Sequence, residues 1–282
     1  GRPSAVPPAW SSRPARAGAA VLALAVAWLA AGALLPNGVP LGIVAIGAVL
    51  GSATGLAAVG VILVWRANRV VNFAAGALGG AAGLASVHLF LEWGWPYPAA
   101  LGTAVVGGVL LGGLVEVLVI RRFAQAPRLV LTVATIGLAQ VLGGVELALP
   151  KVLFGLDAFI LGAFETPLTG TQVELGPVII TGDHLLVAVV VPVVVAALAW
   201  FLRRSLAGTA IRAAAENTDR ARLLGVPVRN LTTVVWMVAG GLAALTFVLK
   251  APFLGATPAA IAGPAVMLPA LAAAVVARME SM

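Results

Sequence analysis

"LGIVAIGAVLGSATGLAAVGVILV", Leu41 to Val64, contains no charged side chain. A helix of roughly 20 mostly apolar residues is enough to cross the hydrocarbon core of a bilayer, and this run is long enough to do so. Comparable runs recur at about 18–35, 70–91, 98–120, 129–149, 184–202, 231–254 and 263–276, the last short for a span. The whole chain of 282 residues is 61% hydrophobic and 10% charged, with a mean hydropathy of +1.09. A soluble domain is about 45–50% apolar and about 25% charged, so this chain has too few charges to face water everywhere. The reading is an all-α, polytopic integral membrane bundle with about eight apolar segments. A membrane β-barrel would show segments of about ten residues alternating in polarity, and the sequence has none.

Orientation follows from where Lys and Arg sit, because cytoplasmic loops carry the excess. With the N-terminus in the cytoplasm and eight alternating segments, the outside keeps only Lys151 and Lys250 of the 17 basic residues. The loop from about 150 to 183 falls outside and carries Asp157, Glu165, Glu174 and Asp183. "EWGWPY", Glu92 to Tyr97, places aromatic rings at an outer boundary, where they are favoured. Residues 1–17 read as a basic, disordered cytoplasmic tail, and 18–282 as the membrane domain. The first run also has features of a signal peptide, but its apolar core of about 18 residues is long for one. Removing it would disturb the charge split, so a retained helix is the reading.

Several chemistries are excluded or poorly supplied. Cysteine is absent, which removes disulfides, thiol chemistry and Cys-based metal sites. A Walker A loop needs Lys after GxxxxG, and neither Lys151 nor Lys250 has that context. Glu116 lies near Arg121 at an inner boundary, and Glu146 lies near an outer one, so both can snorkel or pair. His88 sits near an outer end, and His184 beside Asp183 suits a polar boundary better than a metal ligand. No metal, cofactor or catalytic group is expected. "GALGG" (Gly76 to Gly80) and "GVLLG" (Gly108 to Gly112) have the spacing that lets helix backbones approach in lipid.

One compact charged island interrupts the apolar pattern: "GTAIRAAAENTDRARLLGVPVRN", Gly208 to Asn230. It falls in the longest inside loop, about 203–230. Wound as one helix over 210–224, Ile211, Ala214, Ala215 and Thr218 share a small face. Arg212, Glu216 and Arg220 stand at i,i+4 spacing, and Gly225 followed by Pro227 ends the helix. From the residues alone, a solvated loop helix and a docking helix are equally open.

The island resembles the cytoplasmic loop of ATP-binding-cassette importer permeases. "ILVWRANRVVNFAAGALGG" (Ile62 to Gly80) is similar to the R-x-x-x-V-I-N-F-A-H-G region of the branched-chain amino acid permeases. "LTVATIGLA" (Leu131 to Ala139) is similar to their TIGLS segment. The blocks follow the family's order and cover about 41–275. The resemblance implies a permease subunit of the bacterial inner membrane, paired with a second permease subunit, ABC ATPase subunits that use ATP, and an extracytoplasmic solute-binding protein. It implies an ATPase-docking element at Arg212, Ala213, Glu216, Asp219, Ala221 and Gly225. It also implies a translocation pathway near Asn72, Phe73, Gly76, Thr132, Thr135, Ile136 and Gly137. Asn72 begins a Gly-rich apolar run, and interrupted runs are where transporters tend to build sites; a bond to a neighbouring helix is the other reading.

Ala75 and Ala77 stand where the family often has His and an acid, which removes any polar role for those positions. The chain opens at Gly1 and closes at "ARMESM", where relatives continue, so a fragment or one half of a longer fused permease is expected. The solute implied is a branched-chain amino acid, an amide, urea or a similar small polar molecule. An ion-coupled secondary transporter or channel would need titratable or ion-coordinating groups in the spans. A membrane enzyme would need a convergent catalytic set. The sequence supplies little for either.

Overall fold

The computed structural model describes residues 13–34, 38–123, 125–155, 165–175, 177–256 and 264–277. The helices are α1 (Arg13–Leu34), α2 (Leu41–Asn68), α3 (Ala75–Leu91), α4 (Tyr97–Leu118) and α5 (Arg128–Phe154). They continue with α6 (Gly182–Arg204), α7 (Leu206–Glu216), α8 (Thr218–Leu223), α9 (Val228–Leu254) and α10 (Pro264–Val276). A 3-10 turn, Ile120–Phe123, follows α4. A helix stands at each apolar run of the sequence, and 81% of the structure is helical. Among the described residues, five helices are long and apolar enough to cross a membrane: α2, α4 with the turn after it, α5, α6 and α9. The apolar helices at Ala25–Leu34, Ala75–Leu91 and Met267–Val276 are shorter. α1 begins at Arg13, inside the stretch read as a tail.

The chain divides into two compact units. The smaller comprises residues 1–47 and 173–180. Within it, the Trp28 indole donates to the Val39 carbonyl at 3.0 Å. β1 (Gln172–Leu175) and β2 (Val178–Thr181), in the loop after α5, form a two-stranded sheet.

The larger unit, 48–172 and 181–282, holds the bundle core. Lipid chains are as apolar as leucine, so helices in a bilayer associate through close packing of small residues and through polar contacts. The α4–α9 pair shows both. A β-carbon added at Gly108 would lie 2.5 Å from the Gly240 carbonyl oxygen, and one at Gly112 would overlap the Trp236 carbonyl. Trp236 is fully buried at this seam. At one end of the seam Arg121 pairs with Glu116 at 3.3 Å. Thr233 of α9 donates to Glu116 at 2.7 Å and accepts from Arg121 at 2.8 Å. The expected pairing of Glu116 with Arg121 is therefore present, with a threonine as the third member.

α3 packs along α9 in the same direction: Gly79 meets Ala243, and Gly83 meets Phe247. α2 runs the opposite way, with Gly60 at Ala239 and the Ala53 carbonyl within 3.4 Å of the Thr246 hydroxyl. Glu146 does not snorkel. It is fully buried, and its carboxylate lies 2.6 Å from where a β-carbon would stand on Gly80 of α3. Glycine at position 80 gives that carboxyl its space.

Asp183 and His184 form the polar boundary that opens α6. Asp183 accepts from the Thr166 and Thr169 hydroxyls, while the His184 ring bonds the Thr181 hydroxyl at 2.9 Å. The imidazole also rests against Phe253 of α9, with ring centroids 4.4 Å apart. Among the described residues no group of acids and histidines is placed to hold a metal.

Candidate functional site

α2 stops at Asn68, and the chain does not become helical again until Ala75. The stop uses Arg69 in the left-handed region, φ 55°, with its N–H on the Trp65 carbonyl at 2.7 Å. That position usually takes glycine, because a β-carbon there is strained. The residues that follow have lost their helical hydrogen bonds, and buried backbone groups need other partners.

Two of the sequence blocks meet at this break. The Thr135 hydroxyl of α5 accepts from the Phe73 N–H at 3.2 Å and donates to the Thr132 carbonyl at 2.7 Å. It also lies 3.4 Å from the Val71 carbonyl. The Asn72 side-chain oxygen accepts from the Ala74 N–H at 2.9 Å, closing a tight turn just before α3. Asn72 and Thr135 are both buried. The VVNFAAG and TIGLA motifs, far apart in sequence, thus stabilise one unwound corner together.

Asn72 and Gly76 also border a cavity of about 310 Å³ between α2, α3, α9 and α10. Its lining follows α9 from Ala239 to Leu254, a rise of about 22 Å. That is most of the hydrocarbon thickness, roughly 30 Å. Alanine, glycine and larger apolar side chains make most of the wall; Thr54, Asn72, Thr246 and Lys250 supply side-chain polar groups. The other expected pathway residues lie elsewhere. The Phe73 ring is exposed, Thr132 bonds back to the Arg128 carbonyl, and Ile136 and Gly137 lie on the exposed side of α5.

Lys250, Thr54 and Thr246 were not singled out by sequence. The charge split counted Lys250 on the outside, at the end of the run 231–254; it belongs to the last turns of α9 and lines the cavity. A charged residue four positions before the end of an apolar run was the available signal.

The charged island folds as two short helices instead of one over 210–224. Asn217 adopts an extended backbone, φ −152° and ψ 100°, and its side chain caps α8 by accepting from the Arg220 N–H at 3.0 Å. Asparagine offers its side chain to the backbone in this way more readily than it extends a helix. Neither expected pair of the island, Arg212–Glu216 or Glu216–Arg220, is seen as an ion pair among the described residues. The ending is as expected. Gly225, φ 79°, accepts the left-handed position, with Gly225 N–H on the Arg222 carbonyl and Val226 N–H on the Ala221 carbonyl, both at 3.0 Å. Those two bonds make a Schellman cap.

The small face of α7 turns inward: Ile211 is buried, and Ala210 and Ala214 pack on the bundle core. Arg212, Ala213, Glu216 and Gly225 are exposed, whereas Ala221 is buried. Asp219 lies on α8, its side chain outside the described residues. Leu206, Leu223 and Leu224 are each more than four-fifths exposed (90%, 87% and 83%). The loop is joined to the break by the Arg69 guanidinium, which donates to the Ala215 carbonyl at 3.0 Å.

A multi-pass helical membrane protein with a broken helix beside an elongated cavity is the class these features define. A family model of branched-chain amino acid transport system permease components matches residues 43–282, and the chain belongs to that family. No curated protein and no solved structure matches it.

Proposed function

We propose that the chain is the permease subunit of an ATP-driven importer and that the cavity between α2, α3, α9 and α10 is part of its translocation pathway. The N-terminus and the α7–α8 loop face the cytoplasm of a bacterial cell, in keeping with the basic residues clustered on that side. ABC ATPase subunits dock on the loop, through Leu206, Leu223 and Leu224 together with Arg212, Ala213 and Glu216. A second permease subunit completes the membrane part, and an extracytoplasmic binding protein delivers the solute. The solute is a branched-chain amino acid or a related small polar molecule such as an amide or urea. ATP is bound and hydrolysed by the partners, and this chain supplies different contacts to two conformations.

The observation that carries this reading is the Arg69–Ala215 bond. It ties the exposed loop, where an outside motor has something to grip, to the unwound corner that borders the cavity. A solvated loop helix would not need that tie. Closure of the ATPases moves α7, the guanidinium carries the displacement to the corner, and the corner rearranges at bonds made by Thr135 and Asn72. Alternating access follows from the motion of a break between packed helices.

Co-purification from membranes tests it. The chain in its full native length is expected to bring an ATPase subunit with it. Leu223→Asp with Leu224→Asp, at two positions that touch little of the chain's own core, is expected to insert normally and lose that subunit. A wild-type chain that brings no ATPase would sink the reading and favour an ion-coupled transporter or channel.

A further inference from the structure

Among the described residues, Lys250 is the single ionisable side chain lining the cavity. Its ammonium donates to the Thr54 hydroxyl of α2 at 3.2 Å, and an ammonium has three protons to give. A neutral hydroxyl satisfies one of them without compensating the charge. Inside a bilayer an uncompensated cation is costly, and such residues mark substrate or ion pathways unless they reach the headgroups.

The direction of the side chain argues against reaching the headgroups. A lysine near the end of a span ordinarily snorkels towards the nearer interface. Lys250 lies one turn before the end of α9, yet its head turns to Thr54. The neighbouring Ala53 carbonyl faces Thr246, a full turn deeper on α9. The ammonium is therefore drawn back along the cavity, in the direction helical side chains lean.

The position also separates it from Asn72. With Gly79 beside Ala243 and Gly83 beside Phe247, Asn72 lies near the level of Trp236, while Thr54, next to the Ala53 that faces Thr246, stands about 14 Å above it. No amino acid-sized solute spans both. The cavity has a cationic station at one end and an amide at the other, with Ala243, Phe247 and other apolar groups between.

We infer that Lys250, steadied by Thr54, receives the carboxylate of the transported solute, so that this pathway takes small apolar carboxylates such as amino acids in preference to amides or urea. The inference rests on the permease reading for its role in transport, while binding at Lys250 stands or falls by itself.

Lys151 and Lys250 are the two lysines of the chain, which permits a direct test. In membrane vesicles carrying the full chain with Lys151→Arg, a water-soluble acetylating ester modifies Lys250 at a rate read by mass spectrometry. The probe is 4-methylpentanoate, which has a carboxylate and no competing amine; 4-methylpentanamide is its neutral counterpart. The carboxylate is expected to slow acetylation several-fold, and the amide to leave it unchanged. Equal effects of the two, or equal protection by chloride at the same ionic strength, would overturn the inference. ATP-driven leucine uptake in the same vesicles is scored separately: protection without uptake keeps the site and removes the permease reading, and uptake without protection does the reverse.

Discussion

Where α4 crosses α9, glycines bring two backbones into direct contact; where α2 gives way to α3, the chain unwinds and side chains take over its backbone bonds. The seam is tight, closed at one end by Glu116, Arg121 and Thr233. The break borders open volume, and Gly76 helps to make it. Both regions are written in alanine and glycine, so composition alone does not distinguish them. The difference lies in what faces each glycine. Opposite Gly108 and Gly112 stands another backbone, and such a seam has one arrangement. Around Asn72 the N–H groups are held by a hydroxyl and an amide, which can be exchanged for other partners at small cost. In the proposed mechanism the seam is the frame and the break the moving part.

Three substitutions probe that contrast. The largest effect is expected at Gly112→Leu, where bulk would meet the Trp236 backbone and neither helix can yield without parting. A loss of about 3 kcal/mol is expected, the upper end of the usual cost of overpacking, read as a sharp fall in the melting temperature of the purified chain. Unchanged melting would mean the seam has slack and is not a frame. Thr135→Val keeps the shape of the side chain but leaves the Phe73 N–H without its acceptor. It is expected to cost about 1–2 kcal/mol and to slow uptake while the seam residues keep their hydrogen-exchange protection. A variant that transports as wild type would move the working part away from the break. Gly137→Ala is the smallest change. It lies on the exposed side of α5 with nothing within 4 Å of an added β-carbon, so stability should rise by no more than about 1 kcal/mol, from helix propensity. A large loss of transport would show that another subunit packs on that face.

Much of this was legible in the sequence. The apolar runs located the helices, because a bilayer dictates length and composition more strictly than water does. Gly225 and Pro227 marked the end of the loop helix, and Asn72 marked an interrupted run; Thr135 was named only through the family's motif, and its meeting with that run was not foreseen. Other features depended on three dimensions. Periodicity suggested one helix over 210–224, and the local competition of the Asn217 side chain for backbone bonds broke it. Ala221 read as a docking residue and is buried. Lys250 was counted with the outside charges and not as a cavity residue, since a charge near the end of an apolar run looks the same whether it reaches outwards or folds back. The Arg69–Ala215 bond joins residues too far apart in sequence for any pattern to connect them.

That bond is the central claim, and ATP hydrolysis measured together with uptake tests it most directly. In proteoliposomes holding the assembled transporter, Arg69→Ala removes the tie without touching the exposed leucines proposed to receive the ATPase. Hydrolysis should continue near the wild-type rate, while leucine taken up per ATP falls about ten-fold, the scale of one charged hydrogen bond lost. If uptake per ATP is unchanged, the displacement reaches the cavity by another route, and the account of how loop and break are joined is wrong.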